Sequence, residues 1–492
     1  MPPTPIKEFT LSTSMKYIVR VSFLSLCSLL FADTLVAAEP AEKPNIVVFF
    51  TDDHGYADLG CQAIVDDIKT PHTDALAQSG VRAIQGYVTA PQCVPSRAGI
   101  LSGRFQSKFG LGSNNAKRGG FNAETILPER LASAGYKSAM FGKWHLGSTS
   151  QITRHGFDHS FAQSGGRPFD ANIDINGKDR PMSKLKDEDY HITACSRAAC
   201  ATIERHKDQP FFLYIAYRAP HIPLDAPPKY LKRFPGPMPE HRRQALAMLS
   251  AVDDGVGMVL ETLEKHDLRE NTLIFYISDN GAPLKIHKLD SPDMRGWDGS
   301  LNDPLNGEKG MLTEGGIRVP FLISWPGKIP AGQVYEHPVS SLDVAATAVA
   351  LAGIDAPADE LDGINLMPYL TGKIDTTPDR QLHWRWSSQS AILDGDWKFL
   401  KGGTREYLFN LKDDREEQNN LIKDHPEIAQ RLKKELDEWS QSLQPPGLPE
   451  TEPKGSRFSY YDHYLDGKEV PPPSLEDAPK IDDRQKRKRS AK

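Results

Sequence analysis

Pro44-Asn45-Ile46-Val47-Val48-Phe49-Phe50-Thr51-Asp52-Asp53 is the stretch on which the fold turns. Its centre, Ile46–Phe50, is apolar at every position, with no alternation between faces. Such a run fits a strand buried on both sides, as in a parallel sheet covered by helices. Phe211–Tyr217 and Leu273–Ile277 have the same texture, and Ser138–Phe141 is a shorter fourth run. Helical patterns lie between the runs: Thr73–Gln78, Ser96–Leu101, Pro128–Ala134, Ala194–His206 and Arg243–His266. Strands alternating with helices predict an α/β fold with a large, mostly parallel sheet sandwiched by helices.

Further along, Thr371–Pro378 is a Gly/Thr/Pro linker. Short alternating segments follow at Leu382–Trp386, Ala391–Leu393, Trp397–Leu400 and Tyr407–Phe409. Gly and Asp pairs separate them, as in an antiparallel meander, and a helix is expected over Glu427–Leu443. The reading is therefore a large domain over residues 44–377 and a small C-terminal α+β subdomain with an antiparallel sheet over 378–445. Residues 446–492 are rich in Pro and charge and end in Arg487-Lys488-Arg489. They are expected to be an extended or disordered tail.

Residues 1–38 read as a signal peptide. Lys16 and Arg20 precede the apolar stretch Val21–Phe31, and Val36-Ala37-Ala38 offers small residues for cleavage. The stretch is too short to span a bilayer comfortably. The expected location is thus periplasmic or secreted, with no integral membrane span after cleavage. Met15 is an alternative start. The net charge of −6 and a pI of about 6.2 argue against a general nucleic-acid binder. After cleavage Cys61, Cys93, Cys195 and Cys200 remain, too few for a disulfide scaffold. Cys195 and Cys200 are five positions apart on one expected helix. Their Cα atoms are then beyond the roughly 7 Å that a bridge allows.

The chemistry gathers after the strands. The first runs into Asp52-Asp53, the second into Arg218-Ala219-Pro220-His221, the third into Ser278-Asp279-Asn280-Gly281, and Ser138–Phe141 into Gly142-Lys143-Trp144-His145. Ligands of open parallel sheets bind beyond the carboxyl ends of the strands, so these segments are expected in one crevice. Asp52, Asp53, Asp279 and Asn280 form an all-oxygen set that would repel itself without a cation. Such donors favour Ca²⁺ or Mg²⁺ over Zn²⁺. His54, beside the two Asp, is expected to pack locally. In Cys93-Val94-Pro95-Ser96-Arg97, Cys93 sits at a helix N-terminus that favours an anion, and Arg97 lies one turn on. An activated thiolate is the simplest reading of that Cys, and a capped helix with a buried thiol is the bland one.

Cys93-x-Pro95-Ser96-Arg97 followed by Ala98-Gly99-Ile100-Leu101-Ser102-Gly103-Arg104 resembles the signature of the type I, formylglycine-dependent sulfatases, arylsulfatase-like members of the alkaline phosphatase superfamily. The resemblance continues, in the family's order, through Pro44–Asp53, Gly142–Gly147, Ala219–His221, Ser278–Gly281 and Lys309-Gly310 ahead of Glu314–Pro320. It implies an alkaline-phosphatase-like fold, a catalytic role for residues 44–377, and oxidation of Cys93 to formylglycine by a formylglycine-generating enzyme. The hydrated aldehyde, a gem-diol, would attack sulfur and take the sulfate. One Ca²⁺, held by Asp52, Asp53, Asp279, Asn280 and residue 93, would polarise the reacting oxygens. Mg²⁺ is its main competitor, but demands stricter geometry. Arg97 would anchor the diol, and Lys143 and Lys309 would bind sulfate oxygens. His221 would protonate the leaving alcohol, and His145 would take the proton from the second hydroxyl to expel sulfate. Asp279 would serve as an additional proton acceptor.

The implied substrate is an aryl sulfate or a sulfated carbohydrate. The alternatives are a phosphodiester or phosphonate monoester hydrolase of the same superfamily, and a non-catalytic glycan-binding protein on the same fold. Specificity is expected from the loops 165–186 and 286–306, with Arg167, Lys178, Arg180, Lys285, Lys288, Arg295 and Trp297 in or beside them, and from the subdomain around His383–Trp386.

Overall fold

The computed structural model describes residues 1–2, 4, 43–163, 169–185, 189–288, 290, 297–357, 359–449, 451 and 456–471, with residues 456–458 as backbone only. The expected signal peptide with Lys16, Arg20, Val21–Phe31 and Val36–Ala38, the loop residues Arg167 and Arg295, and the basic end Arg487–Arg489 lie outside the described residues.

In chain order the strands are β1 (Asn45–Asp52), β2 (Val81–Ala83), β3 (Gly86–Tyr87), β4 (Lys137–Lys143), β5 (His159–Gln163), β6 (Phe169–Ile173), β7 (Asp179–Leu185) and β8 (Phe211–Pro220). They continue with β9 (Thr272–Ser278), β10 (Phe321–Ser324), β11 (Gln333–Tyr335), β12 (Val339–Ser340), β13 (Gln381–Trp386), β14 (Gln389–Asp394), β15 (Trp397–Gly402) and β16 (Arg405–Asn410). Ten of them form one sheet in the order β11-β2-β10-β9-β1-β8-β4-β5-β6-β7. Its centre, β9-β1-β8-β4-β5, is parallel. The flanks turn antiparallel at β10 and at β6 and β7.

The central strand β1 is buried along its whole length, which explains its unbroken apolar run. Its residues serve two cores alternately. Ile46, Val48 and Phe50 join one with the helix Cys93–Ser102 and Leu127, Leu131 and Val344. Val47 and Phe49 join the other, with the helices His191–His206 and Glu240–Lys265. The sheet is thus sandwiched as expected, and the expected helices appear with ends moved by a few residues. The register places Thr51 opposite Ser278 and Asp52 opposite Pro220, so the carboxyl ends of β1, β8 and β9 share one edge.

Strands β13–β16 form an antiparallel sheet in sequence order. Trp384, Trp386, Leu393 and Leu400 face the first core, while Ile392, Phe399 and Leu408 pack on the helix Pro426–Ser440. The described residues from Lys43 onward form one compact unit. One expectation needs correction. Within the tail, Ser456–Tyr464 is a helix rather than an extended segment. Its Tyr461 is buried at 1% exposure with its ring tilted against Tyr407, and that burial supplies what the polar surroundings lack. Cys61, Cys93, Cys195 and Cys200 form no disulfide with one another. Among the described residues no helix is long and apolar enough to cross a membrane.

Candidate active site

Most of the expected site residues lie at or just beyond the end of a buried strand. Asp52 closes β1, and Asp53 follows with φ of 63°, a left-handed backbone that is uncommon for a residue other than Gly. Asp279 and Asn280 follow β9, and His221 follows β8. Lys143 ends β4. Before it, Gly142 has φ of 96°, and a Cβ there would stand 2.1 Å from the Ala216 carbonyl oxygen. Only Gly lets β4 pass β8 so closely. His145 follows with φ of 60°. Cys93 opens the helix Cys93–Ser102, whose residues are all buried. Lys309 arrives on a loop fixed by its own N–H to Ala282 O (3.2 Å) and by Gly310 N–H to Pro91 O (2.9 Å).

These groups meet around the Cys93 sulfur. Sγ lies 3.4 Å from Asp52 Oδ1 and 3.4 Å from Lys309 Nζ. Lys143 Nζ donates to both Asp52 oxygens (2.7 and 2.6 Å), and Lys309 Nζ to both Asp53 oxygens (2.6 and 2.7 Å). Arg97 is wholly buried. Its Nη2 pairs with Asp279 Oδ2 at 2.7 Å and stands 3.5 Å from Asp52 Oδ1, while Nη1 donates to Lys143 O at 3.0 Å. Asp279 Oδ1 accepts the Asp53 N–H at 3.1 Å. Asn280 Nδ2 donates to Asp53 Oδ1 at 2.7 Å. His221 Nε2 is 3.6 Å from Asp53 Oδ2, and its Nδ1 lies 2.6 Å from Ile222 O. A carbonyl only accepts, so Nδ1 carries the proton and Nε2 is the exchangeable position.

The electrostatics follow from burial among mixed charges. Burial alone would raise Asp52 and Asp53. Lys143 for the first and Lys309 for the second, helped by His221, outweigh it and hold both carboxylates below the usual range. Asp279 is pushed up to about 7 by burial and by Asp52, against the pull of Arg97. Burial, then Lys143 and Arg97, push His145 down to about 2, leaving a neutral base. Burial takes His221 down to about 4 despite Asp52. The Cys93 thiol is pushed up by burial and by Asp279. That counts against the activated-thiolate reading, since a thiolate would form only with difficulty here.

The donor set fits a hard divalent cation. The Asn280 side-chain oxygen is buried without a hydrogen-bond partner. A buried amide oxygen in that state lacks compensation that a cation would supply. Burial and the nearby Asp52 raise Asp279 despite Arg97, a cost that a divalent cation beside these carboxylates would lower. Ligand atoms of Asp52, Asp53, Cys93 and His221 all lie within 4.8 Å of one another. That cluster includes His221, which had been expected only as an acid. Asp279 is not in it; its oxygens accept from Arg97 and the Asp53 N–H.

The sequence therefore named the residues that the fold gathers, but missed those that hold them. Gln92 Oε1 accepts from Asn114 N and from Trp386 Nε1, and Asn114 Oδ1 caps Val94 N–H. No local pattern marks such long-range partners. His54 packs locally, as expected, against Asp58 O, Thr51 and Tyr276. In the subdomain around His383–Trp386 the aromatic side chains point inward. Trp384 and Trp386 are buried and donate to Val88 O and Gln92, and His383 stacks on Trp439. Aromatic bulk there supports the Cys93 helix from behind. Of the loop cations, Lys285 pairs with Asp298 at 2.7 Å and Lys288 lies 3.8 Å from Asp303.

A mostly parallel sheet that gathers buried cations and a carboxylate cluster around one Cys suits chemistry on an anionic ester. The comparisons make the class specific: residues 44–354 match the sulfatase family, and residues 307–442 match the C-terminal region of N-sulphoglucosamine sulphohydrolase. The chain belongs to the sulfatase family and is a sulfuric ester hydrolase. It is 32% identical to N-acetylgalactosamine-6-sulfatase of Rattus norvegicus over 396 residues, covering 74% of this chain and 72% of that one. It is also 32% identical to the uncharacterised sulfatase YdeN of Escherichia coli, covering 75% of this chain and 74% of that one. Among solved structures, Ps i-CgsB in complex with k-i-k-neocarrahexaose superposes with a TM-score of 0.74 at 32% identity, over 86% of this chain and 97% of that one.

Proposed function

We propose that this sulfatase removes sulfate from a sulfated carbohydrate, using formylglycine made from Cys93 and one bound Ca²⁺. The observation that carries the reading is the convergence of Asp52, Lys309 and Asp53 on a Cys93 thiol that burial keeps from ionising. A thiol so placed is a poor nucleophile but a well-positioned precursor. Support for a carbohydrate comes from relatives whose names specify N-acetylgalactosamine-6-sulfate and a carrageenan-type oligosaccharide. On this reading residues 44–377 carry the chemistry and 378–445 support it. Maturation requires a formylglycine-generating enzyme, and the location is periplasmic or secreted.

Asp52, Asp53, Asp279 and Asn280, with residue 93, would hold the Ca²⁺, which when bound would supply Lewis acidity to the sulfate oxygens and the nucleophile. The chain's own groups do the rest. Lys143 and Lys309 act as point charges for sulfate oxygens beside Asp52 and Asp53. Arg97, locked by Asp279 and Lys143 O, keeps its charge and orients residue 93. His221 passes a proton through Nε2 to the leaving alcohol, its Nδ1 fixed by Ile222 O. His145, neutral and with Nδ1 unpartnered in the structure, accepts the proton released when sulfate is expelled.

The test compares turnover of p-nitrophenyl sulfate, bis-p-nitrophenyl phosphate and a panel of defined sulfated sugars. Sulfate ester turnover should exceed diester turnover, with at least one sulfated sugar preferred over the aryl sulfate. Faster diester turnover would overturn the reading. Lys309→Ala should lower kcat/KM on p-nitrophenyl sulfate by about 100-fold to 1000-fold, the usual cost of losing one charged contact to a transition-state oxygen. The protein should still fold, with a lower unfolding temperature because Asp53 loses a buried partner. Chelation should remove activity, and Ca²⁺ should restore it better than Mg²⁺. Asp53→Asn, which removes charge but little volume, should weaken both calcium affinity and turnover. Full activity in metal-free protein would exclude the cation.

A further inference from the structure

We infer that Tyr464, at the end of the helix Ser456–Tyr464, is a positioning residue for Lys309. It acts through Glu308, and the inference rests on the reading of Lys309 as a sulfate-binding group. The helix lies beyond both family matches, which end at residues 354 and 442. It is nonetheless anchored on the C-terminal sheet. Arg405 pairs with Asp462 at 3.1 Å and with Asp466 at 3.0 Å, and Tyr407 donates to Asp466 at 2.9 Å. Tyr461 packs against Gly402, where a Cβ would come within 2.3 Å of its ring.

From that anchor the helix reaches the loop that delivers Lys309. Tyr464 OH donates to Glu308 Oε1 at 2.9 Å, and Asn306 Nδ2 donates to Tyr464 O at 2.7 Å. Glu308 is 1% exposed and collects two more donors, the N–H of Lys285 at 2.7 Å and of Ile286 at 3.0 Å. Those two residues have φ of 53° and 52°, and Lys288 has 46°. For Ile, with its branched Cβ, this backbone is a true outlier that persists only where surroundings impose it. Glu308 is the imposing group, and it immediately precedes Lys309. Tyr464 therefore closes a chain of contacts from the C-terminal sheet, through one buried carboxylate, to the Lys309 ammonium at Asp53 and Cys93. A free carboxylate rotamer at 308 would release both the strained turn and the approach of Lys309.

The test is a double-mutant cycle on full-length enzyme with p-nitrophenyl sulfate. Tyr464→Phe should lower kcat/KM on the order of tenfold, the effect of losing one hydrogen bond to a carboxylate, with little change in thermal unfolding. In the Lys309→Ala background the same substitution should have no further effect, because the group it positions is gone. Glu308→Gln should mimic Tyr464→Phe and should not add to it. Unchanged kinetics in Tyr464→Phe, or an equal loss in both backgrounds, would overturn the inference. Lys309→Ala with wild-type kinetics would show instead that the reading of Lys309 has failed.

Discussion

Cys93→Ser is expected to lose steady-state hydrolysis of sulfate esters by about 10⁴-fold or more while remaining folded. Serine offers one hydroxyl at this position. It can accept a sulfate once at most, and has no second hydroxyl with which to expel it. Folding should survive because the change is small and the new hydroxyl finds Asp52 and Lys309, both 3.4 Å from the present sulfur. The check is turnover on p-nitrophenyl sulfate beside a thermal unfolding curve. Multiple turnovers by Cys93→Ser at near wild-type rate would show that position 93 needs no oxidised side chain.

Lys398→Met should have the largest effect on stability. Lys398 is fully buried and bridges Glu314 Oε1 at 2.7 Å and Glu417 Oε1 at 2.8 Å. It ties β15 to the segment after Lys309. Arg318 also pairs with Glu314, at 3.2 Å, so that carboxylate keeps its charge, while burial pushes Glu417 up to about 7. Removing one partner of a buried ion pair typically costs about 3–5 kcal/mol, because a charge is left without compensation. The sign with pH follows from Glu417. A carboxyl group whose folded pKa is raised favours the folded state when protonated, and that contribution fades as pH rises through its folded value. The loss in Lys398→Met should therefore be greatest above neutrality and smaller at about pH 5. Denaturant unfolding at the two pH values reads this out. A deficit that grows on acidification would contradict the assignment of Glu417 as the titrating partner.

The parts of the fold that were legible are those whose burial is total. Strands β1, β8 and β9 announce themselves as unbroken apolar runs, because helices cover both their faces. The flanking strands were not legible. In β7 only Leu185 is buried, and β2 and β10 are three and four residues long, so neither periodicity nor length separates them from loops. The helix Ser456–Tyr464 escaped because its neighbours are Pro and charge. The tyrosines within it were the available signal, and Tyr461 is the one that drives docking. The site residues were readable as a constellation by resemblance to a family, but their pairing was not. Nothing in spacing connects Lys309 to Asp53 across more than two hundred residues, or Trp386 to the helix of Cys93. Those contacts exist because the sheet brings its carboxyl edges together and the small C-terminal sheet is packed behind them.

The role of Cys93 as precursor of the nucleophile is tested most closely by mass spectrometry of the peptide containing residue 93 from an active preparation. The peptide should lack the thiol, carry the mass of an aldehyde in place of the Cys side chain, and react with a hydrazide. Its modified fraction should rise and fall with specific activity across preparations made with and without the maturing enzyme. A fully active sample whose residue 93 is entirely unmodified cysteine would contradict the account.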